Sequence, residues 1–450
     1  MATLADARAV LQRHFGFADF RPSQREVVRS VLSGRDTLAV LPTGAGKSAC
    51  FQVPALLLDG VTVVVSPLIS LMTDQVAACQ RRGIAAAALT SATSTMERLV
   101  VMESLRSRSI RLLYLSPERL AASAATLRQQ IGTPAMLAVD EAHCISEWGP
   151  DFRPAYRRLG AVRQQLGMPP VAALTGSATP EVRRDITRQL GFRSGSAATE
   201  YVASFDRPNL CFHVRAVSSE TERFKILLGE LDRSEPLAIV YTPTRSVTEA
   251  LTRALRLAGY DALPYHAGLT SDYKLRALQR FTGAQLQVVV ATCAFGMGID
   301  APNVRLVVHW SMPPTLESYY QEAGRAGRDG APARCVLLYR KGDGDRQREQ
   351  LDVTFPPPRA VERLWRDGAS ASRAPVSLRE SAERLRQEVL DPSGRADWGP
   401  VKRRRRRAEE RISAVERYAT TRGCRRSVLL GYFGERLHGC SGCDHCRSVP

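Results

Sequence analysis

Thr37-Leu38-Ala39-Val40-Leu41, followed by Pro42-Thr43-Gly44-Ala45-Gly46-Lys47-Ser48, is the stretch that decides the fold. The apolar run reads as a strand buried on both faces. A Gly-rich loop follows, and then an apolar helical pattern. Strand, glycine loop and helix together form a phosphate cradle, because backbone N–H groups and the helix N-terminus both face an anion. In such a loop Lys47 reaches the β- and γ-phosphates and the Ser48 hydroxyl binds Mg²⁺. The strict spacing G-x-x-x-x-G-K-S wants glycine at position 41, where this chain has Leu41.

Working outward, short β-branched runs alternate with longer helical patterns. The runs are Thr37–Leu41, Val61–Val65, Arg111–Leu115, Met136–Asp140 and Val171–Leu174, then Leu237–Tyr241, Gln287–Ala291, Arg305–His309 and Arg334–Tyr339. Such alternation implies parallel sheets with right-handed crossovers. The turn-forming residues of Phe205–Asn209 separate the two sets and predict a domain boundary. The pattern stops near Tyr339. Beyond it the chain is polar and Arg-rich, with helical periodicity at Ala360–Asp367, Leu378–Val389 and Val401–Thr420. The basic run Lys402–Arg407 reads equally as a solvated helix face or as a phosphate-contacting patch.

The 450 residues suffice for two to four domains of about 150 residues. With 44% hydrophobic and 24% charged residues the chain is globular, not wholly disordered. No apolar run approaches the roughly 18 residues of a membrane span, and Thr3–Phe20 carries too many charges for a signal peptide. The chain reads as soluble and intracellular, in a bacterial-type cytoplasm. Its net charge of +18 favours a polyanionic partner such as nucleic acid, although an Arg-rich proteome would give the same balance.

Two further clusters carry chemistry. The apolar Met136–Val139 ends in Asp140-Glu141-Ala142-His143. An acid at the carboxyl end of a parallel strand sits where such sheets bind ligands. Asp140 could hold Mg²⁺, and Glu141 could orient or deprotonate a water. Of ten cysteines, Cys424, Cys440, Cys443 and Cys446 fall in the last stretch. Four thiolates suit a closed tetrahedral Zn²⁺ site, with His438 or His445 as alternative donors.

With these residues in place, the chain resembles the RecQ family of DNA helicases within superfamily 2, over nearly everything up to Tyr339 and again at Cys424–Cys446. That superfamily uses the P-T-G-x-G-K-S loop, which accounts for Leu41. The resemblance implies that Phe17 and Arg21 stack on adenine, that Gln24 hydrogen-bonds it, and that Thr43, Gly44, Gly46, Lys47 and Ser48 hold the phosphates. It marks Val64–Gln75 as a strand-lining segment and Leu174–Thr179 as a coupling motif between lobes. Cys144–Arg153 is similar to the family's aromatic-rich loop, so His143, Trp148, Phe152 and Arg153 are expected to sense DNA and couple it to hydrolysis. The family usually has His at position 150, where this chain has Pro150, and many members have Lys where it has Ala301.

In the second lobe, Tyr265–Leu269 and Ala291–Asp300 are similar to family motifs, with Asp300 on the nucleotide side. Gln321–Gly330 adds Gln321, Arg325 and Arg328; two arginines three apart are expected on one helix face. Arg328 is the expected arginine finger and Arg325 the second choice.

The implied fold is α/β, with two RecA-like parallel-sheet lobes plus a small, mostly helical zinc-binding C-terminal module. Its expected boundaries are 1–205, 206–340 and 341–450. A winged helix and a helical accessory (HRDC) domain, usual in longer members, are not recognisable, and the longer Arg-rich segment could form a helix-turn-helix-like insertion. The implied activity is ATP- and Mg²⁺-dependent 3′→5′ translocation on single-stranded DNA, with unwinding of tailed or branched duplex by a monomer in repair or recombination. A translocase that does not separate strands, an RNA helicase of the superfamily and a non-catalytic DNA-binding or annealing protein are the alternative readings.

Overall fold

The computed structural model describes the chain apart from residues 1, 43, 91–92, 148, 150–151, 196–197, 234–236, 297–300, 302, 368–373, 392–393 and 447–450. It divides into two units, Met1–Arg207 with Gly296–Asp300 and Leu430–Leu437, and Pro208–Phe295 with Ala301–Leu429 and His438–Pro450.

The first unit is built on seven strands: β1 (Asp36–Val40), β2 (Thr62–Val65), β3 (Ala86–Leu89), β4 (Leu112–Leu115), β5 (Met136–Val139), β6 (Val171–Thr175) and β7 (Ala198–Val202). Their order is β3-β4-β2-β5-β6-β1-β7, and every neighbouring pair is parallel. Strands β1, β2, β4, β5 and β6 are buried at every residue, as their unbroken apolar runs require. Phe51, Val64, Met72, Leu112, Tyr114 and Leu174 belong to one core on the sheet. The crossing order places β6 between β1 and β5. In register, Val40 faces Thr175 and Val139 faces Ala173. The loops leaving the carboxyl ends of β1, β6 and β5 therefore emerge side by side, where open α/β sheets bind ligands.

The second unit holds a six-stranded parallel sheet: β8 (Leu210–Ala216), β9 (Ala238–Tyr241), β10 (Ala262–Tyr265), β11 (Val288–Ala291), β12 (Leu306–His309) and β13 (Ala333–Tyr339). The order is β10-β11-β9-β12-β13-β8. After it come helices Asp343–Thr354, Pro358–Asp367, Val376–Val389 and Gly399–Thr420. They enclose a separate small core of Val361, Leu385, Val389 and Val401, with Trp365 stacked on Trp398 at 5.7 Å. A single antiparallel bridge between Leu390 and Ala396 closes the turn between the last two helices.

Four strands were absent from the sequence reading: β3, β7, β8 and β10. They are the four edges of the two sheets. Pro264 in β10 is tolerable there because an edge strand has one side without ladder partners. No helix among the described residues is long and apolar enough to cross a membrane.

Candidate nucleotide site and cysteine centre

The loop after β1 turns through Gly44 at φ +82° and Gly46 at φ +73°. Left-handed glycines let successive N–H groups converge into an anion-binding concavity. Gln24 fixes this shape. Its amide donates to the carbonyls of Ala45 at 2.8 Å and Gly46 at 3.0 Å, and its Oε1 accepts from the Arg21 N–H at 2.9 Å. A Cβ on Gly46 would collide with that amide. Arg21 Nη1 donates to the Gly44 carbonyl at 2.6 Å, while the Phe17 ring is 62% exposed. Arg21 and Gln24 are thus joined to the phosphate loop, and Phe17 is left open for stacking. Lys47 Nζ donates to the Leu41 carbonyl at 3.4 Å. Thr43 lies outside the described residues.

Ser48 is held by a residue to which the sequence reading gave no role. Gln75 Nε2 donates to Ser48 Oγ at 2.9 Å. Gln52 Nε2 donates to Gln75 Oε1 at 2.7 Å, and also to the Tyr114 hydroxyl at 3.0 Å. Gln52 is fully buried. This chain orients the Gln75 amide and hence the serine hydroxyl. The signal lay in the quoted segment ending at Gln75, but only the fold brings it to Ser48.

At the end of β5 the Asp140 carboxyl stands at about 7, raised above all by burial. The neighbouring Glu141 adds to that rise, against the pull of Lys47 and His143. A bound cation would relieve both penalties, so this acid fits a divalent metal. Glu141 stands at φ +47°, a conformation that costs a non-glycine residue about 1–3 kcal/mol and clusters at functional sites. His143 Nδ1 lies 2.9 Å from Thr175 Oγ1 and 3.3 Å from Glu141 Oε2. Thr175 Oγ1 in turn donates to the Ser177 carbonyl at 3.2 Å. The acidic strand end is thereby hydrogen-bonded to the Leu174–Thr179 motif.

In the loop that follows, Arg153 Nη1 donates to the Pro67 carbonyl at 2.7 Å, joining it to the Val64–Gln75 segment. Phe152 is half-buried. The Tyr156 hydroxyl donates to the Asp140 carbonyl at 3.1 Å. Trp148 and Pro150 lie outside the described residues, as does Asp300. Ala301 is buried.

In the second unit, Gln321 lies on helix Leu316–Ala323. Arg325 and Arg328 were expected on one helix face, but the helix ends before them. Gly324 caps it, and the chain continues in turns with Gly327 at φ +55°. A Cβ at Gly327 would strike Asn209, so glycine is required and helix cannot continue. Arg325 is buried against the Tyr241 hydroxyl, and Arg328 is half-buried.

The Sγ atoms of Cys424, Cys440, Cys443 and Cys446 all lie within 4.8 Å of one another. Tetrahedral Zn–S bonds of about 2.3 Å place sulfurs roughly 3.8 Å apart, so the cluster fits one zinc ion. Neither His438 nor His445 is in it. Burial raises the Cys443 thiol, but the N–H groups of Cys446, His445 and Arg425 outweigh it and bring the group down to about 7, toward the ligating thiolate. The centre is tied to the sheet. Cys443 bridges to Phe212 of the edge strand β8, and Asp444 accepts from the Val214 N–H at 2.9 Å and from Arg425 Nε at 3.0 Å.

Family profiles match as DEAD/DEAH box helicase over residues 21–186, helicase conserved C-terminal domain over 222–330 and RecQ zinc-binding over 383–447. The chain is 37% identical to the ATP-dependent DNA helicase RecQ of Haemophilus influenzae over 99% of its own length and 64% of that protein's. It is 35% identical to the probable ATP-dependent DNA helicase RecS of Bacillus subtilis, over 97% of this chain and 91% of that one. It spans less than two thirds of the Haemophilus relative, and the same holds for RecQ of Pasteurella multocida at 62%. Among solved structures, the DNA-bound helicase MrfA superposes with TM-score 0.62 at 19% identity over 76% of this chain and 52% of that one. Dbp5 of S. cerevisiae superposes with TM-score 0.60 at 16% identity, over 78% and 91%. These likenesses show the two-lobed fold, and the sequence matches show the lineage: the chain belongs to the RecQ family of superfamily 2 helicases.

Proposed function

We propose that this protein is an ATP-dependent DNA helicase of RecQ type, which couples hydrolysis to 3′→5′ movement along single-stranded DNA and to separation of tailed or branched duplex. It acts as a monomer in the cytoplasm, in DNA repair and recombination. The observation that carries this reading is that the loop ending in Ser48, the Asp140–Glu141 pair and Thr175 stand at the carboxyl ends of three adjacent strands of one sheet.

The N–H groups of the 44–48 loop and the Lys47 ammonium bind the β- and γ-phosphates of ATP. Ser48 and Asp140 would hold Mg²⁺, which would supply positive charge to the β- and γ-phosphates. Glu141 accepts a proton from the attacking water, and His143 carries the state of that site to Thr175. Arg328 neutralises charge developing on the γ-phosphate, with Arg325 and Gln321 beside it in the same motif. Phe17, Arg21 and Gln24 recognise adenine, and Asp300 contributes on the nucleotide side. Trp148, Phe152 and Arg153 meet the DNA strand by stacking and phosphate contact. The four-cysteine zinc centre is structural.

The test is strand displacement on duplexes carrying a 3′ or a 5′ single-stranded tail. ATP-dependent release from the 3′-tailed substrate alone, abolished in Lys47→Ala, is expected. Release from neither substrate would reduce the reading to a translocase.

A further inference from the structure

The most basic run of the sequence, Lys402–Arg407, is ion-paired at three of its residues. Arg404 pairs with Glu388 and lies over the Phe355 ring, Arg405 pairs with Asp352 and Glu409, and Arg406 pairs with Glu410. A second basic stripe lies on a different helix. On Pro358–Asp367, Arg359, Arg363 and Arg366 are all exposed, and their i, i+4, i+7 spacing places them on one face. The opposite face enters the small core through Val361, Leu364 and Trp365. None of the three arginines has an ion-pair partner among the described residues. Glu362, the acid between them, is turned inward and accepts from Trp398 Nε1 at 2.6 Å.

Three guanidinium groups along roughly 10 Å of helix, without acid, form a stripe suited to a phosphate backbone. The partner can be narrowed further. Proteins that hold single strands add aromatic platforms for unstacked bases. Here Trp365 is committed to its stack on Trp398 and to a 3.1 Å hydrogen bond with the Ala382 carbonyl. A face of arginines alone reads backbone and not bases, which suits double-stranded DNA. We infer that the Arg359–Arg363–Arg366 stripe is a docking surface for the phosphate backbone of duplex DNA, separate from the single-strand path of the two helicase lobes. The inference rests on the DNA-motor reading only for the identity of the polyanion.

The test is equilibrium binding of the full chain, without nucleotide, to a blunt duplex and to a single-stranded oligonucleotide across a salt series. The variants are Arg359→Ala/Arg363→Ala/Arg366→Ala and the charge-preserving Arg359→Lys/Arg363→Lys/Arg366→Lys. The alanine variant should bind duplex about ten-fold or more weakly, with a log–log salt slope shallower by about 2–3, because each phosphate contact contributes about 0.9. Its single-strand affinity should stay within about two-fold, and the lysine variant should bind duplex within about three-fold of the parent. Three results would each overturn the inference: unchanged duplex binding by the alanine variant, an equal loss on both DNAs, or a lysine variant as weak as the alanine one. Failure of the motor reading is seen separately, as ATP hydrolysis by the parent protein that ignores single-stranded DNA.

Discussion

The side-chain amide of Gln75 donates a 2.9 Å hydrogen bond to the hydroxyl of Ser48, and the buried Gln52 holds that amide in place from behind. Ser48 closes the phosphate loop, and Gln75 lies on the helix Ile69–Arg81, at the end of the Val64–Gln75 segment that resembles a strand-lining element. The hydroxyl proposed to bind Mg²⁺ is thus oriented by a residue of the segment proposed to line the DNA path. Residues that orient a ligand typically change metal affinity by about 10–100-fold when removed. Gln75→Leu should therefore raise the Mg²⁺ concentration needed for half-maximal ATP hydrolysis by about ten-fold. A Mg²⁺ titration of the steady-state rate checks this, and an unchanged midpoint would remove Gln75 from the site.

The His143–Thr175 contact at 2.9 Å is the buried link between the acidic strand end and the neighbouring strand. Thr175→Val keeps the shape and deletes the hydroxyl. A buried hydrogen bond contributes about 1 kcal/mol net, so the DNA-stimulated rate should fall about five-fold while the unstimulated rate holds. Equal loss in both rates would mean that the contact supports structure without transmitting the DNA signal.

For Arg328, a finger acting only on the transition state predicts a specific kinetic pattern. Arg328→Ala should lower kcat by about 10³-fold and leave KM for ATP nearly unchanged. A rise in KM alone would reassign the residue to nucleotide binding.

Stability should follow one buried pair at the amino end of β1. Asp36 and Arg163 are both fully buried and 2.6 Å apart, and Arg193 adds a second contact at 3.0 Å. Burial alone would raise the Asp36 carboxyl, but hydrogen bonds from Arg193, Arg163 and the Val171 N–H outweigh it and hold the group below its ordinary 3.8. A depressed carboxylate stabilises the fold above its unfolded pKa, and that contribution is lost as pH falls through the folded value. Asp36→Ala leaves Arg163 unpaired and should cost about 3–5 kcal/mol at neutral pH. Urea unfolding of parent and variant should begin to converge only as pH falls below the ordinary 3.8 and on through the lower folded value; a gap that persists undiminished in acid would contradict the assignment.

The zinc centre predicts one ion per chain and a measurable debt to it. Because Cys443 and Asp444 are bonded to the edge strand β8, losing the metal should loosen the C-terminal module and uncover that edge. Cys443→Ser should reduce bound zinc by at least half and lower the thermal midpoint. Full zinc content in that variant would exclude Cys443 as a ligand.

The central strands were legible because burial on both faces demands continuous Val, Leu and Ile. The edges were not. β3 is Ala86-Ala87-Ala88-Leu89, a composition that favours helix, and β10 contains Pro264, which argues against a strand anywhere but an edge. β8 alternates buried and half-exposed residues, so it lacks the continuous run of its neighbours. The phosphate loop and the acidic strand end were readable because their chemistry is local in sequence. The spacing of Arg325 and Arg328 suggests a helix, but Gly324, Gly327 and Gly330 interrupt it, the last two at positive φ. Gln75, Gln52 and Thr175 act through partners 23 to 32 residues away, and no local pattern marks such a pairing. The basic run at Lys402–Arg407 was only partly legible: Glu409 and Glu410 pair with it at i,i+4, but Glu388 and Asp352 come from other helices.

The central claim is a motor whose ATP hydrolysis answers to DNA. Its most direct test is the steady-state rate with no polynucleotide, with single-stranded DNA and with RNA, using Glu141→Gln as control. The account predicts strong stimulation by DNA alone and its loss in Glu141→Gln. A rate that is the same with and without DNA would contradict it.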